Sequence, residues 1–248
     1  MAFFQKPPPD DFCLRLDTSL DACDLNAQLK RFEPWGHRID FSNGVSTKDL
    51  ATRHPFSQNT VQKVKLLAQI LPFEELRGGS VLDIGCNSGH NSIYLASQYA
   101  MHPTGIDISQ RHVAVSKLLS GIAGINADFL VANAETFRGP ENFDVVLHLE
   151  TLYHLPNPLL SLQTSYANLK KGGYLALETQ VYDDPRDQNI CYFMHTHNKN
   201  HTDFWALSTH VLKTYLKIVG FREAHEVLKV GPRSLGKHMS RITLVAQK

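Results

Sequence analysis

The sequence predicts an α/β fold with a mostly parallel sheet, and three observations carry that expectation. Short apolar runs at 80–84, 103–107, 129–132, 143–149 and 173–181 alternate with longer segments of helical spacing. Those runs are near-continuous in Val, Leu and Ile, as in strands buried on both faces. The chain has 248 residues, 42% hydrophobic and 20% charged, so it can bury such a sheet and is too apolar for wholesale disorder.

The elements follow in order. Apolar spacing over 20–32 fits a short helix, and 37–47 (HRIDFSNGVST) alternates loosely around Asn43-Gly44, a hairpin signal. Val61, Val64, Leu67, Ala68 and Leu71 recur at helical spacing, with Ser57 or Asn59 as cap and Arg77-Gly78-Gly79 as the stop. A strand at 80–84 then leads to a helix through Tyr99, a strand at 103–107 and a helix at 111–123. Strands at 129–132 and 143–149, a helix at 159–169 and a strand at 173–181 complete the alternation. A helix at 209–219 precedes two strands, 224–230 and 241–246, joined without a helix, which implies an antiparallel C-terminal edge. We therefore expect residues 1–58 to form a helix-hairpin extension covering the ligand site, and residues 59–248 the α/β domain. An insertion at 182–208 follows the fifth strand, so it belongs on the substrate side, at the carboxyl end of the sheet. Its Tyr192, Phe193, Phe204 and Trp205 argue for order.

Several classes are disfavoured by composition. Lys plus Arg number 25 against 24 acids, a net charge of +1, so no global basic excess recommends nucleic acid. No apolar stretch approaches the ~18 residues of a membrane span. Residues 1–11 place PPPDD after two Phe and do not read as a signal peptide. Cys13, Cys23, Cys86 and Cys191 form no CxxC pair and read as reduced thiols of a cytoplasmic protein. His195, His197 and His201 invite a zinc reading, but no Cys pair or HExxH motif supports it, so no metal is expected. Met101 and Trp205 read as core or lid residues.

The segment VLDIGCNSG at 81–89 is the most informative. A buried strand runs into a glycine turn that opens a helix, so backbone N–H groups and the positive helix end face a ligand. Gly85 and Gly89 leave room where a Cβ would intrude, with Asn87 between them. Asp107 ends the next strand, where an acid accepts ribose hydroxyls, and Ala134-Glu135 after the third strand suit an adenine edge. The turn is G-x-x-x-G, not the G-x-G-x-x-G of dinucleotide sites, and Asp83 precedes it. That acid favours a ligand bearing an ammonium and a sulfonium over one bearing phosphates.

These residues resemble class I S-adenosylmethionine-dependent methyltransferases over most of 59–248, through VLDIGCNSG, GIDIS, NAE, FDVVLHLETLYHLPNP and LKKGGYLALET. FEPW at 32–35, Arg38-Ile39-Asp40, LYH at 152–154 and GGYLALETQV resemble more closely the group around the tRNA 5-carboxymethoxyuridine-forming transferase. The resemblance implies a Rossmann-like methyltransferase fold and S-adenosylmethionine as cofactor. It assigns Gly85 to the methionine end, Asp107, Ile108 and Ser109 to the ribose and adenosine side, and Ala134 and Glu135 to the adenine. It assigns Leu149 to the methionine pocket through its backbone, and Tyr153 and Arg241 to the neighbourhood of the transferred group.

For chemistry, His154 is the candidate base, since it follows the fourth strand, where acceptors approach in this fold. Tyr153 is its candidate partner at the reacting centre. His37 and His90 are weaker candidates, and Glu150 and Glu178 read as structural acids. Balanced charge and an aromatic, His-rich insertion favour a small hydroxylated or heteroaromatic acceptor over tRNA. Competing readings are a nucleotide-binding oxidoreductase and a non-catalytic cofactor-binding scaffold. We expect ordinary S-adenosylmethionine as donor, not carboxy-S-adenosylmethionine. The lysine that follows the PW segment in the carboxymethyl transferases is missing, as is the tryptophan after Ile-Asp; only Tyr153, Lys48 and Arg241 remain, with Arg38 as a substitute.

Overall fold

The computed structural model describes residues 12–51, 57–140, 142–195, 202–231 and 237–248. In chain order it begins with β1 (Leu14–Leu16), α1 (Ala22–Lys30), β2 (Ile39–Phe41) and α2 (Gln62–Leu67). β3 (Ser80–Ile84), α3 (His90–Tyr99), β4 (His102–Asp107), α4 (Gln110–Ile122) and β5 (Asp128–Val131) follow. Then come β6 (Phe143–Leu149), α5 (Pro158–Asn168) and β7 (Leu169–Tyr182). β8 (Cys191–Phe193), β9 (Trp205–Leu207), α6 (Thr209–Val219), β10 (His225–Val230) and β11 (Met239–Gln247) close the chain. Among the described residues the main sheet runs β10-β11-β7-β6-β3-β4-β5. β3 pairs parallel with β6 and β6 with β7, while β11 is antiparallel to both β7 and β10. The expected α/β class and antiparallel C-terminal edge are thus both present.

Two compact units make up the chain: 1–78, 86–103 and 109–129 in one, 79–85, 104–108 and 130–248 in the other. The core of the second forms because its strands are apolar on both faces. Leu82, Ile84, Val146, Leu175, Leu177, Ile242 and Leu244 are at most 1% exposed and share one cluster with Leu162 of α5 and Leu212 and Leu216 of α6. Each fully buried aliphatic side chain contributes about 1.5–3 kcal/mol. Both helices are capped by sequence: the Asn157 carboxamide accepts from Leu160 N–H, and the Ser208 hydroxyl from Val211 N–H. Gly220, at φ +112°, ends α6.

The first unit departs from expectation at three places. The turn at Asn43-Gly44 forms, with Phe41 N–H bonded to the Val45 carbonyl at 2.9 Å. Its return arm, however, becomes a 3-10 turn capped by Ser46, and the ladder partner of β2 is β1, in parallel register Leu14 to Ile39. Neither Ser57 nor Asn59 caps α2; the helix starts after Val61 with no side-chain cap, and the nearby Thr60 hydroxyl accepts from Leu14 N–H instead. That helix also stops at Ala68, well before Gly78. In the second unit, the insertion holds two short strands: β9 adds to β7 at Leu207 and pairs antiparallel with β8. His197 and His201 lie outside the described residues, as do 1–11. No described helix is long and apolar enough to cross a membrane, and no described cluster of three His, Cys, Asp or Glu is arranged to hold a metal. All four cysteines are thiols.

His148 on β6 is fully buried, with Nε2 2.9 Å from Ser161 Oγ and Nδ1 without a hydrogen-bond partner among the described residues. Burial pulls this imidazole down to about 4. In the first unit, burial with the charges of His112 and Lys63 pulls His37 to about 4, and burial holds His90 well below its ordinary value. The unfolded chain therefore binds these protons first. Stability is full above pH 6.5 and is lost as pH falls toward 4, by about 3 kcal/mol at most for His148 alone. Urea midpoints measured from pH 7.5 to 4.5 are expected to fall across that window, less steeply in His148→Gln. An identical slope in the variant would show that His148 does not contribute.

Candidate active site

Strand order reverses at β3: the chain passes outward through β4 and β5, then returns to the other side as β6 and β7. Crevices outside the carboxyl ends of strands at such a reversal are where open α/β sheets bind ligands. Asp83, next to last in β3, is 1% exposed. Gly85 follows at φ +71°, and its N–H donates to the Ile106 carbonyl at 2.8 Å, which ties the glycine turn to the end of β4 just before Asp107. Packing within the protein by itself already demands glycine here. A Cβ on Gly85 would strike Thr151 Oγ1 and lie 2.8 Å from Thr151 Cγ2. Thr151 cannot yield easily, because its hydroxyl sits 3.1 Å from the carbonyls of both Ile84 and Leu149. Gly85→Val is therefore expected to cost several kcal/mol of stability, on the order of 3 or more from the left-handed backbone and the overlap together. Thermal unfolding checks this, and an unchanged midpoint would refute it.

The remaining cofactor candidates of this unit cluster at the same strand ends. Asp107 is half-buried and its carbonyl accepts from Ala132 N–H at 3.1 Å, while Ile108 beside it is 74% exposed. Leu149 and Ala134 are buried. Glu135 directs Oε1 to Asn157 N–H at 2.6 Å, at the start of α5, so that oxygen is engaged by the protein. In the other unit, Asn87 and Gly89 hold left-handed backbone at φ +50° and +73°, and a Cβ on Gly89 would meet Phe129 and Ser116 at 2.9 Å. Ser109 caps α4 by accepting from His112 N–H. His37 and His90 pack ring to ring at 4.8 Å around Ser88.

Beyond β6 lies the chemistry-bearing turn. Glu150 takes φ +56°, a strained conformation for a non-glycine residue, and a 3-10 turn of Leu152–His154 follows. Tyr153 is buried, His154 retains 35% side-chain exposure, and their rings lie 4.2 Å apart. The His154 Nδ1 stands 3.1 Å from Asp203 Oδ1 and 3.0 Å from the Thr202 carbonyl. Arg241, the third residue of β11, stacks at 5.8 Å over the Tyr153 ring. Its guanidinium pairs with Glu150, and at 3.2 Å with Glu178. Burial lowers it to about 10, still charged at neutral pH. Thr151 and Asp203 escaped sequence reading; a threonine behind a glycine and an aspartate in a distant insertion carry no motif of their own.

A methyltransferase domain model matches residues 57–226, more than half of the chain. The chain belongs to the methyltransferase domain family. Its sheet is Rossmann-like, with the antiparallel C-terminal edge described above. It is 31% identical over 156 residues to a ubiquinone biosynthesis O-methyltransferase of Pseudomonas entomophila, covering 62% of each protein. To a tRNA U34 carboxymethyltransferase of Alteromonas mediterranea it is 30% identical over 159 residues, 61% of this chain and 47% of that protein. The matches thus span less than two thirds of these relatives. Among solved structures, the N-terminal domain of EvdMO1, in the presence of SAH and D-fucose, superposes with a TM-score of 0.72 at 19% identity, covering 92% of this chain and 97% of that one.

Proposed function

We propose that this methyltransferase moves a methyl group from S-adenosylmethionine to a hydroxyl, amine or carbon nucleophile of a small-molecule metabolite, a hydroxyl foremost. The observation that supports cofactor placement most directly is the Gly85-to-Ile106 bond, which joins the glycine turn to the strand end bearing Asp107. The residues suit the cofactor chemically: the candidate set offers Asp83 and Asp107, acids suited to an ammonium, a sulfonium and ribose hydroxyls. In this reading Asp83, Gly85, Asn87, Gly89, Asp107, Ile108, Ser109, Ala134, Glu135, Leu149 and Tyr153 hold the cofactor. Residues 1–58 act as its cover, which protection from proteolysis by S-adenosylhomocysteine tests. When bound, the cofactor supplies an electrophilic methyl on an excellent leaving group. The protein's remaining tasks are to align the acceptor, exclude water and remove a proton. His154 takes the acceptor's proton, and Tyr153 lines the reacting centre.

Incubation with methyl-labelled donor and a deproteinised metabolite extract tests the reading. A labelled small-molecule product supports it, and labelling of bulk tRNA alone would overturn the acceptor class. The tRNA alternative draws on the Alteromonas relative. It requires a steep salt dependence of tRNA binding, which the net charge of +1 does not favour.

A further inference from the structure

We propose that Asp203, delivered by the insertion after β7, is the positioning residue that fixes the tautomer and orientation of His154 as the acceptor-side base. The inference rests on the methyltransferase reading and narrows its acceptor to a nucleophile that must lose a proton.

The segment around Asp203 is fastened onto the turn after β6. Phe204 N–H donates to the Tyr153 carbonyl at 2.7 Å, Trp205 Nε1 to the Pro156 carbonyl at 3.0 Å, and Met194 N–H to the Phe204 carbonyl at 2.8 Å. Asp203 is thereby held in place and its side chain is only 7% exposed. A carboxylate so buried is costly unless a donor meets it. His154 Nδ1 does so, at 3.1 Å from Oδ1. The Thr202 carbonyl approaches the same nitrogen at 3.0 Å. The Thr202 hydroxyl, 3.3 Å from Nδ1, can donate or accept, but the nearer carbonyl and carboxylate only accept, so the ring proton belongs on Nδ1 and the lone pair on Nε2. Nε2 makes no hydrogen bond among the described residues, and the side chain stays 35% exposed. Pinning a loop needs no charge, and a neutral amide would serve. A buried carboxylate against Nδ1 also stabilises the imidazolium that forms when Nε2 takes a proton.

The step balances. The acceptor oxygen forms a bond to the methyl carbon as the carbon–sulfur bond breaks, and that electron pair stays on sulfur, leaving a neutral thioether. The acceptor's proton passes to His154 Nε2, the imidazolium is held against Asp203, and the proton leaves to solvent through the exposed ring edge.

Nitrogen-15 imidazole spectra of the full chain, with His154 assigned by His154→Gln, test the tautomer. Calorimetry with S-adenosylhomocysteine and label incorporation from methyl-labelled donor into the metabolite extract complete the experiment. The wild type is expected to carry its proton on Nδ1. Asp203→Asn should lose that preference and lower labelling by about 10²- to 10⁴-fold, the usual worth of a base, with S-adenosylhomocysteine affinity unchanged. Asp203→Glu should recover part of the rate. An Nε2-protonated His154 in the wild type, or an Asp203→Asn protein labelling at the wild-type rate, overturns the proposal. If Asp203→Asn fails to fold, the wild-type tautomer and the rate of Asp203→Glu decide. Failure of the wild type to bind S-adenosylhomocysteine would instead overturn the parent reading, and this role of Asp203 with it.

Discussion

Asp107→Ala is expected to lower affinity for S-adenosylhomocysteine by roughly 10²- to 10³-fold while leaving the protein folded. In the proposed site both ribose hydroxyls donate to this one carboxylate, and each hydrogen bond to a charged group is worth about 1.5–3 kcal/mol. The substitution leaves the backbone carbonyl of Asp107, which holds Ala132 N–H at the end of β4, in place. Ser109→Ala, two residues on, separates binding from folding. Its hydroxyl caps α4 through His112 N–H, so the substitution should cost about 1 kcal/mol of stability and far less affinity than Asp107→Ala. Titration calorimetry of both variants, alongside NAD on the wild type, checks the assignment. Tight NAD binding with none of the S-adenosyl ligand would sink the cofactor reading and restore the oxidoreductase alternative.

Why Asp107 was legible in the sequence and Asp203 was not follows from how each is placed. β3, β6 and α6 match their expected bounds because their signal is local: buried strands are continuously apolar, and α6 is amphipathic between Ser208 and Gly220. A residue at the end of such a strand, Gly85 or Asp107, inherits that certainty. β1 and β9 have three residues each, too few for a period to show, and exist because Ile39 and Val181 offer them edges. The supposed cap of α2 failed for a similar reason, since long-range pairing of Thr60 with Leu14 sets where that segment turns. Thr151, Asp203 and the partners of Arg241 act across space. Their chemistry is ordinary, and only the fold brings it to bear on Gly85, His154 and the last strand.

The donor should be S-adenosylmethionine in preference to carboxy-S-adenosylmethionine, by about 10²-fold or more in affinity. An added carboxylate in a partly closed site costs on the order of 3 kcal/mol unless a cation or hydrogen bonds meet it. The candidates are Lys48, which is exposed, and two arginines, each of which already has an anion. Arg38 holds Asp40 through two contacts, Nη2 at 2.8 Å and Nε at 3.1 Å. That ion pair helps hold the Asp40 carboxyl below its ordinary range despite burial, which opposes it. Arg241 stands beside the Tyr153 ring, where a carboxylated donor would need it, but it is shared between Glu150 and Glu178. Among the described residues this cation already faces two carboxylates, which compete with an anionic donor for it and suit a sulfonium carrying only a methyl group. Glu150→Gln, at the more exposed partner, should free part of the Arg241 charge and narrow the preference severalfold. Arg241→Ala should instead destabilise the protein, since it removes the cation that faces the buried Glu178 carboxylate. Calorimetry with both donors decides: a preference for the carboxylated one, abolished by Arg241→Ala or Arg38→Ala in a protein that still folds, would prove the assignment wrong.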